Sequence, residues 1–443
     1  MIFTDFAPNE SWDDALLSLR LLFQPWRWKN GNEKELVKQK ILTLFNISRL
    51  KFNVSLFLTG RSALYNLLKS FNLPKGSEVL VQAFTCEAVV LPIIQLGLKP
   101  VYIDIESETY SIYFNKLTSK LVNRLTKVLI LQHTFGLTPK YRKDILRLAQ
   151  EKGLIVIEDL AHGFNPSIFK PSGFDKIRSQ QTLRVNNKFF HFYLFSFGRS
   201  KLLSSVFGGA IISSPVKSPS YQAGEKGEVL NGTMRLWKNP AYPSYFFIFR
   251  CLLYKPLTML IKSTYDIYLG KILHYFVNRF GILIPEVTQQ EKKGQFNSLF
   301  NKAYPNALSI LLLHQLNKFD RIQKQRRKIS GFYFRHFGKR VKRAGSESNN
   351  DSGGSRSDGG LIRFPLLIRN RDKVLLKAAK QNIFLGKWYD QAVAPKDLDL
   401  DRVEYKAGSC PVAEDICKKI INLPTNISQN EAERVVRILN DVI

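Results

Sequence analysis

The stretch between residues 54 and 159 restricts the fold more than any other part of the chain. Short apolar, β-branched runs alternate there with segments of helical periodicity. Residues 54–58 read as a strand and lead into a helix with Leu64, Leu67, Leu68 and Phe71 on one face. Residues 78–84, 100–105, 127–133 and 154–159 read as further strands, and 87–96 and 141–152 as helices. Near-continuous apolar strands separated by helices are what a parallel sheet covered on both faces requires, so the expected class is α/β. Ligands of such sheets sit beyond the carboxyl ends of the strands. That rule singles out His133, Asp159 and His162. An aspartate there can ligate a metal, act as a general base or pair with a protonated ring nitrogen. Its bland alternative is a cap on the next helix.

Two further stretches carry chemistry. Gly60, Arg61 and Ser62 stand where a strand turns into a helix. Free backbone N–H groups and the helix dipole favour an anion at such a turn, and phosphate is the natural occupant. The same small residues can serve as caps alone. The second stretch runs from Phe195 to Phe207. An aromatic, alternating strand at 191–197 precedes it, and Gly208 and Gly209 open another strand at 210–213. Lys201 therefore falls in a short connection between two strands of the core. An ammonium at the edge of a core is costly unless it is paired, neutral or covalently used. Lysines that condense with carbonyl cofactors such as pyridoxal phosphate need such a seat. A solvated loop lysine is the competing reading.

The 443 residues can bury a full core and suggest two subdomains. Lys and Arg number 66 against 36 acidic residues, a net charge of +30, which points to an anionic surface or ligand. Cys86, Cys251, Cys410 and Cys417 show neither metal-ligand spacing nor a disulfide framework, as expected in a reducing cytosol. No signal-peptide pattern opens the sequence, and no apolar run is long and uncharged enough to span a bilayer. Residues 240–285 are apolar and aromatic with interspersed Arg250, Lys255, Lys262, Lys271 and Arg279. The segment is expected to lie at the interface of an anionic membrane, ahead of the alternative that it packs on the protein or on a dimer partner. The protein is thus expected in the cytoplasm, peripheral to the membrane's inner face.

The remaining organisation follows composition shifts. Residues 1–45 form an N-terminal arm of two helices, the second capped by Asn32. Residues 46–239 form the large α/β domain, with a polar insertion at 165–190 to which no chemistry is assigned. Residues 240–300 form a helical insertion. Residues 301–443 begin with one long helix over 307–333 and continue as a small α+β domain, interrupted by a low-complexity loop at 344–360.

The order of these stretches, together with Cys410-Pro411-Val412-Ala413-Glu414 and Asn422-Leu423-Pro424 near the C-terminus, resembles the DegT/DnrJ/StrS family of sugar aminotransferases. The resemblance runs from about residue 40 to the end and omits the two insertions. It implies fold type I of the pyridoxal phosphate enzymes, with a mostly parallel seven-stranded sheet in the large domain and a small α+β domain. It implies that Lys201 binds the cofactor and shuttles the substrate proton, that Asp159 faces the pyridine nitrogen, and that His162 lies near the phenolic oxygen. Gly60, Arg61, Ser62 and Ser196 would hold the phosphate, and Asn301 would be donated by the partner of a homodimer. The family's stacking aromatic is replaced by Cys86, with Phe84 as a possible substitute. Lysine at 201 departs from the family's dehydratase branch, which has histidine there. The implied reaction moves an amino group, usually from glutamate, to a keto sugar carried on a nucleotide or lipid, in cell-surface polysaccharide or amino-sugar synthesis. Two alternatives stay open: a pyridoxal phosphate enzyme with a non-sugar substrate, and a non-catalytic basic protein that binds membrane or nucleic acid. Nothing in the sequence resembles a nucleic-acid module.

Overall fold

The computed structural model describes residues 1–46, 52–120, 124–169, 190–213, 240–343 and 360–440. Seven strands form its centre: β1 (Asn53–Phe57), β2 (Glu78–Gln82), β3 (Lys99–Ile103), β4 (Thr126–Gln132), β5 (Ile155–Asp159), β6 (His191–Ser196) and β7 (Gly209–Ser213). Their order across the sheet is β1-β7-β6-β5-β4-β2-β3. The run from β6 to β3 is parallel throughout, whereas β7 is antiparallel to both of its neighbours. The expected mostly parallel sheet is therefore what the chain forms. Alternation along each strand supplies two cores. Leu80, Leu129, Leu131 and Val156 face one, and Val79, Val81, Val128, Ile130 and Ile157 face the other.

The helices that concern the site are α1 (Trp12–Leu22), α2 (Glu33–Leu44), α3 (Gly60–Ser70) and α4 (Glu87–Gln95). Asn32 occupies the position before α2, but its side chain accepts no capping hydrogen bond, contrary to expectation; its backbone is already helical there, so the side chain is not placed to reach the first-turn N–H groups. The long helix expected over 307–333 is two helices, Asn306–Asn317 and Phe319–Arg343. Between them the N–H of Lys318 bonds to the carbonyl of Gln315, tightening the last turn, and the Lys318 ammonium reaches Asp14 at 2.8 Å and Asp13 at 2.9 Å. The C-terminal unit pairs Arg363–Leu367 antiparallel with Ile420–Pro424 and packs helices Arg371–Lys380, Pro411–Lys419 and Gln429–Asn440 around them. A short parallel pairing of Val393 and Ala394 with Thr85 and Cys86 ties this unit to the carboxyl end of the large sheet. Most of the insertion expected at 165–190, and nearly all of the loop at 344–360, lie outside the described residues.

Residues 240–285 are mostly helical. They fold into α5 (Tyr245–Thr264) and α6 (Leu269–Arg279). The inner face of α5, including Ile248, Leu252, Lys255 and Ile261, is fully buried, so that side of the helix packs on the protein. Lys255 is ion-paired with Glu10 of the N-terminal arm, both side chains being inaccessible to solvent. Removing one member of such a pair strands a buried charge, which costs about 3–5 kcal/mol, whereas replacing both by apolar groups is near neutral. Lys255→Met is therefore expected to lower the urea midpoint by the equivalent of about 3–5 kcal/mol, and Glu10→Leu added to it to recover most of the loss. Among the described residues no helix is long and apolar enough to cross a membrane.

Candidate active site

A cavity of about 290 Å³ opens at the carboxyl ends of β4, β5 and β6 and is lined by Asp159, His162, Ser196 and Lys201, together with the start of α3. Thr59 builds that start. Its Oγ1 accepts from the N–H of Ser62 at 3.1 Å, and its own N–H donates to Ser62 Oγ at 3.1 Å. This reciprocal cap leaves the N–H groups of Gly60 and Arg61 ahead of the first helical bond, at the positive end of the dipole. A Cβ on Gly60 would come within 3.1 Å of Ser196 Oγ, so the glycine keeps that hydroxyl close to the helix start. A Cβ on Gly209 would lie 2.4 Å from the carbonyl oxygen of Thr59, and only glycine lets β7 pass this turn.

Two expectations about the turn are corrected. Ser62 is completely buried and its hydroxyl is spent on Thr59, so it caps the helix and does not line the cavity. Thr59 lines the cavity instead. Arg61 reaches the wall, but its guanidinium is claimed by the Glu291 carboxylate, by the backbone carbonyl of Glu286 at 2.7 Å and by Glu87 at 3.7 Å. Its charge is neutralised by these partners and does not add to an anion seat.

Lys201 lies in the β6–β7 connection, as expected. Its backbone N–H bonds to Gly198 O at 3.1 Å, and Asn9 of the N-terminal arm donates to its carbonyl. Its Nζ stands 5.1 Å from the centre of the Trp388 ring. Val206, in the same connection, has φ +75°, a left-handed conformation that a β-branched residue rarely adopts. Asp159 ends β5. Its Oδ1 accepts from the N–H of Ala161 at 3.0 Å and its Oδ2 from Gln132 Nε2 at 3.2 Å. Among the described residues no lysine or arginine lies within ion-pair distance of it. Burial pushes its carboxyl above the usual range, against the opposing effects of the Ala161 N–H and the Lys201 charge. The neighbouring Glu158 points to the other face of the sheet, where Arg142 holds it at 2.8 Å and His133 at 2.7 Å. That arrangement keeps Glu158 ionised despite its burial.

His162 is driven well below its ordinary value by burial and by the charge of Lys201, so it is neutral. Its Nδ1 accepts from the N–H of Phe135 at 3.4 Å, which puts the ring proton on Nε2, 3.1 Å from Tyr389 Oη. Cys86 lines the cavity as a neutral thiol, its pKa pushed up to about 12 by burial and by Glu87. Phe84 does not substitute for it. With φ +65° its ring turns away into a buried cluster with Tyr110 and Tyr389. Asn301 also stands apart from the cavity of its own chain, where its Oδ1 accepts from Asn66 at 2.8 Å.

Among the wall residues not found from the sequence are Thr59, Glu286, Trp388 and Tyr389. Trp388 stacks on the His162 ring at 4.9 Å, and the Arg363 guanidinium lies 3.3 Å from the centre of the Trp388 ring. The Glu286 carboxylate accepts from Ser200 Oγ at 2.9 Å, close to Lys201 in the chain. Only the Trp388-Tyr389 aromatic pair following an exposed lysine gave any signal, and nothing local tied it to this site.

Comparison with known proteins agrees with this geometry. A curated UDP-N-acetyl-3-dehydro-alpha-D-glucosamine 3-aminotransferase from Acidithiobacillus ferrooxidans is 33% identical over 110 residues, 25% of this chain and 29% of the relative. A GDP-perosamine synthase from Escherichia coli is 32% identical over 105 residues, 24% of this chain and 28% of the relative. These alignments thus span under a third of the relatives' length. A DegT DnrJ EryC1 StrS aminotransferase from Brucella abortus superposes with a TM-score of 0.61 at 17% identity, over 97% of this chain and 95% of that one, and shares its fold. The model of one family matches residues 48–216 and 286–440, most of the chain, and the protein belongs to the DegT/DnrJ/EryC1/StrS aminotransferase family.

Proposed function

We propose that the protein is a pyridoxal phosphate-dependent aminotransferase that moves an amino group, with glutamate as donor, onto a keto sugar carried by a nucleotide, in the synthesis of a surface polysaccharide or an amino sugar. The observation that carries this reading is Asp159, a buried carboxylate at a strand end with hydrogen bonds but, among the described residues, no cation within ion-pair distance. Such a group is costly unless a positive charge arrives opposite it, and a protonated pyridine nitrogen is that charge. The cofactor, when bound, supplies the electron sink that makes the substrate C–H bond breakable. The chain does the rest. The N–H groups of Gly60 and Arg61 and the Ser196 hydroxyl bind the phosphate. Lys201 anchors the carbonyl carbon and then carries the proton between the substrate and the cofactor. Asp159 holds the proton on the ring nitrogen, and neutral His162 donates from Nε2 without adding charge. The two relatives named for UDP-linked and GDP-linked sugars support a nucleotide sugar as acceptor. The working unit is proposed to be a homodimer.

The test is spectroscopic. Protein incubated with pyridoxal phosphate is expected to show a visible absorption band that borohydride fixes covalently, and glutamate is expected to bleach that band in the absence of acceptor. A panel of nucleotide-linked keto sugars then restores it. A protein that stays colourless with added cofactor would sink the proposal. Bleaching by glutamate that no sugar of the panel reverses would instead favour a non-sugar substrate.

A further inference from the structure

The site leaves one large feature of the molecule unused. Helix α6 and its C-terminal capping residue turn Leu269, Ile272, Phe276 and Phe280 outward in a single stripe, and Phe280 is 70% exposed. The spacing i, i+3, i+7, i+11 keeps them on one face. The adjoining face is seated: Val277 is buried, and a Cβ on Gly270 would come within 2.2 Å of the Ile261 carbonyl oxygen of α5. Helix α1 repeats the pattern, with Trp12, Leu16, Leu19 and Phe23 exposed and Ala15, Ser18 and Leu21 buried. Both helices pack on α5, Ser18 Oγ donating to Leu252 O at 2.7 Å and Arg250 bonding to the carbonyl of Ile282 beyond α6 at 2.9 Å. α5 itself leaves Phe246 and Phe249 exposed. Aromatic surface of this extent is costly in water and marks a docking face.

Charge chooses the occupant. Between residues 240 and 285 there are five basic side chains and one acidic, Asp266. Asp266 is paired with the amino terminus, and Lys255 is buried on Glu10. Asp13, beside Trp12 on α1, is paired with Lys318 at 2.9 Å, so among the described residues what remains beside the apolar stripes is cationic. Lys271 lies 4.2 Å from the centre of the Tyr268 ring, and Arg250 lies 5.8 Å from that of Phe246. Arg20 and Arg279 are exposed on the helices themselves. Aromatic rings interleaved with basic heads match the boundary of an anionic bilayer, where rings enter the acyl edge and cations meet phosphate. A +30 chain is attracted to that surface at long range. Both stripes also lie outside the residues matched by the family, so this face is an addition to the shared fold.

We infer that α1, α5 and α6 form a docking face for the surface of an anionic phospholipid bilayer, the stripes entering the interface and Arg20, Lys271 and Arg279 meeting the headgroups. The inference does not depend on the aminotransferase reading. The full chain is to be sedimented with vesicles of phosphatidylglycerol and phosphatidylcholine, and with vesicles of phosphatidylcholine alone. Binding to the anionic vesicles is expected to be about tenfold or more tighter at low salt. Ile272→Asp with Phe276→Asp is expected to lower it by at least about tenfold, with the melting temperature unchanged because both side chains face solvent. Lys271→Glu with Arg279→Glu, which leaves the apolar stripes intact, should abolish the preference for anionic over neutral vesicles. The inference is overturned if the wild type binds neither vesicle or if both double variants bind as the wild type does. It is equally overturned if the apolar variant changes the sedimentation mass, since a second copy of the chain would then be the occupant.

Discussion

Lys201→Ala is expected to lower transamination by about 10⁴-fold, the upper end of what a positioned acid–base group contributes. The loss combines two roles, the anchoring of the cofactor and the carriage of the substrate proton. The substitution should leave the fold intact, because the contacts that hold the connection are made by backbone. Asn9 donates to the Lys201 carbonyl, the Lys201 N–H bonds to Gly198, and the side chain reaches only into the cavity. Lys201→Arg should not rescue the activity, since a guanidinium keeps its proton at any working pH. The check is steady-state turnover together with the borohydride-fixed chromophore, which the variant should lack while still binding the cofactor reversibly. A variant that retains the fixed band would move the anchor to another residue.

Asp159→Asn is expected to cost about 10²–10³-fold in kcat, the usual price of removing one preorganised electrostatic partner. The stability effect has the opposite sign without the cofactor. Burial raises the folded-state pKa of Asp159 above its unfolded value, so its ionised form penalises the fold at pH values above that raised pKa. The penalty fades as the pH falls through it and the carboxyl takes up a proton. The asparagine variant should therefore melt higher than wild type at neutral pH without cofactor and lose this advantage in acid. With pyridoxal phosphate present the order should reverse, because the carboxylate then has its cationic partner. Gln132 can accommodate the amide, since its Oε1 has no partner among the described residues and can turn toward the new N–H₂. Equal melting with and without cofactor would remove Asp159 from the ring nitrogen.

Much of this site was legible before the structure. The β-branched strands between residues 54 and 159 prescribe a parallel sheet, and a parallel sheet places Asp159 and His162 at its carboxyl end. Lys201 was legible because two core strands flank it within a few residues. The errors have one cause. Ser62 and Arg61 look available in sequence, yet Thr59 takes the serine hydroxyl into a helix cap, and Glu291, 230 residues away, takes the guanidinium. The same holds for Phe84, whose left-handed backbone sends its ring away from the cavity while Cys86 stays in the wall. A one-dimensional pattern reports which side chains could reach a site but not which of them are already bound elsewhere.

Segment 240–285 shows the limit from the other side. Its composition marks it as apolar and basic throughout, but composition cannot tell that Lys255 is buried on Glu10 while Phe280, at the end of the next helix, faces water. The N-terminal arm reads as an appendage, yet its Asn9 and Glu10 brace the Lys201 connection and the insertion. By itself the sequence determined what depends on period and short spacing: the sheet, the glycine turn at the start of α3, the lysine between two strands and the aspartate at a strand end. The tertiary structure alone decided how the charges are compensated, which wall residues close the cavity and which apolar stripes stay exposed. Those outcomes depend on burial and on partners hundreds of residues apart, and neither quantity is carried by local pattern.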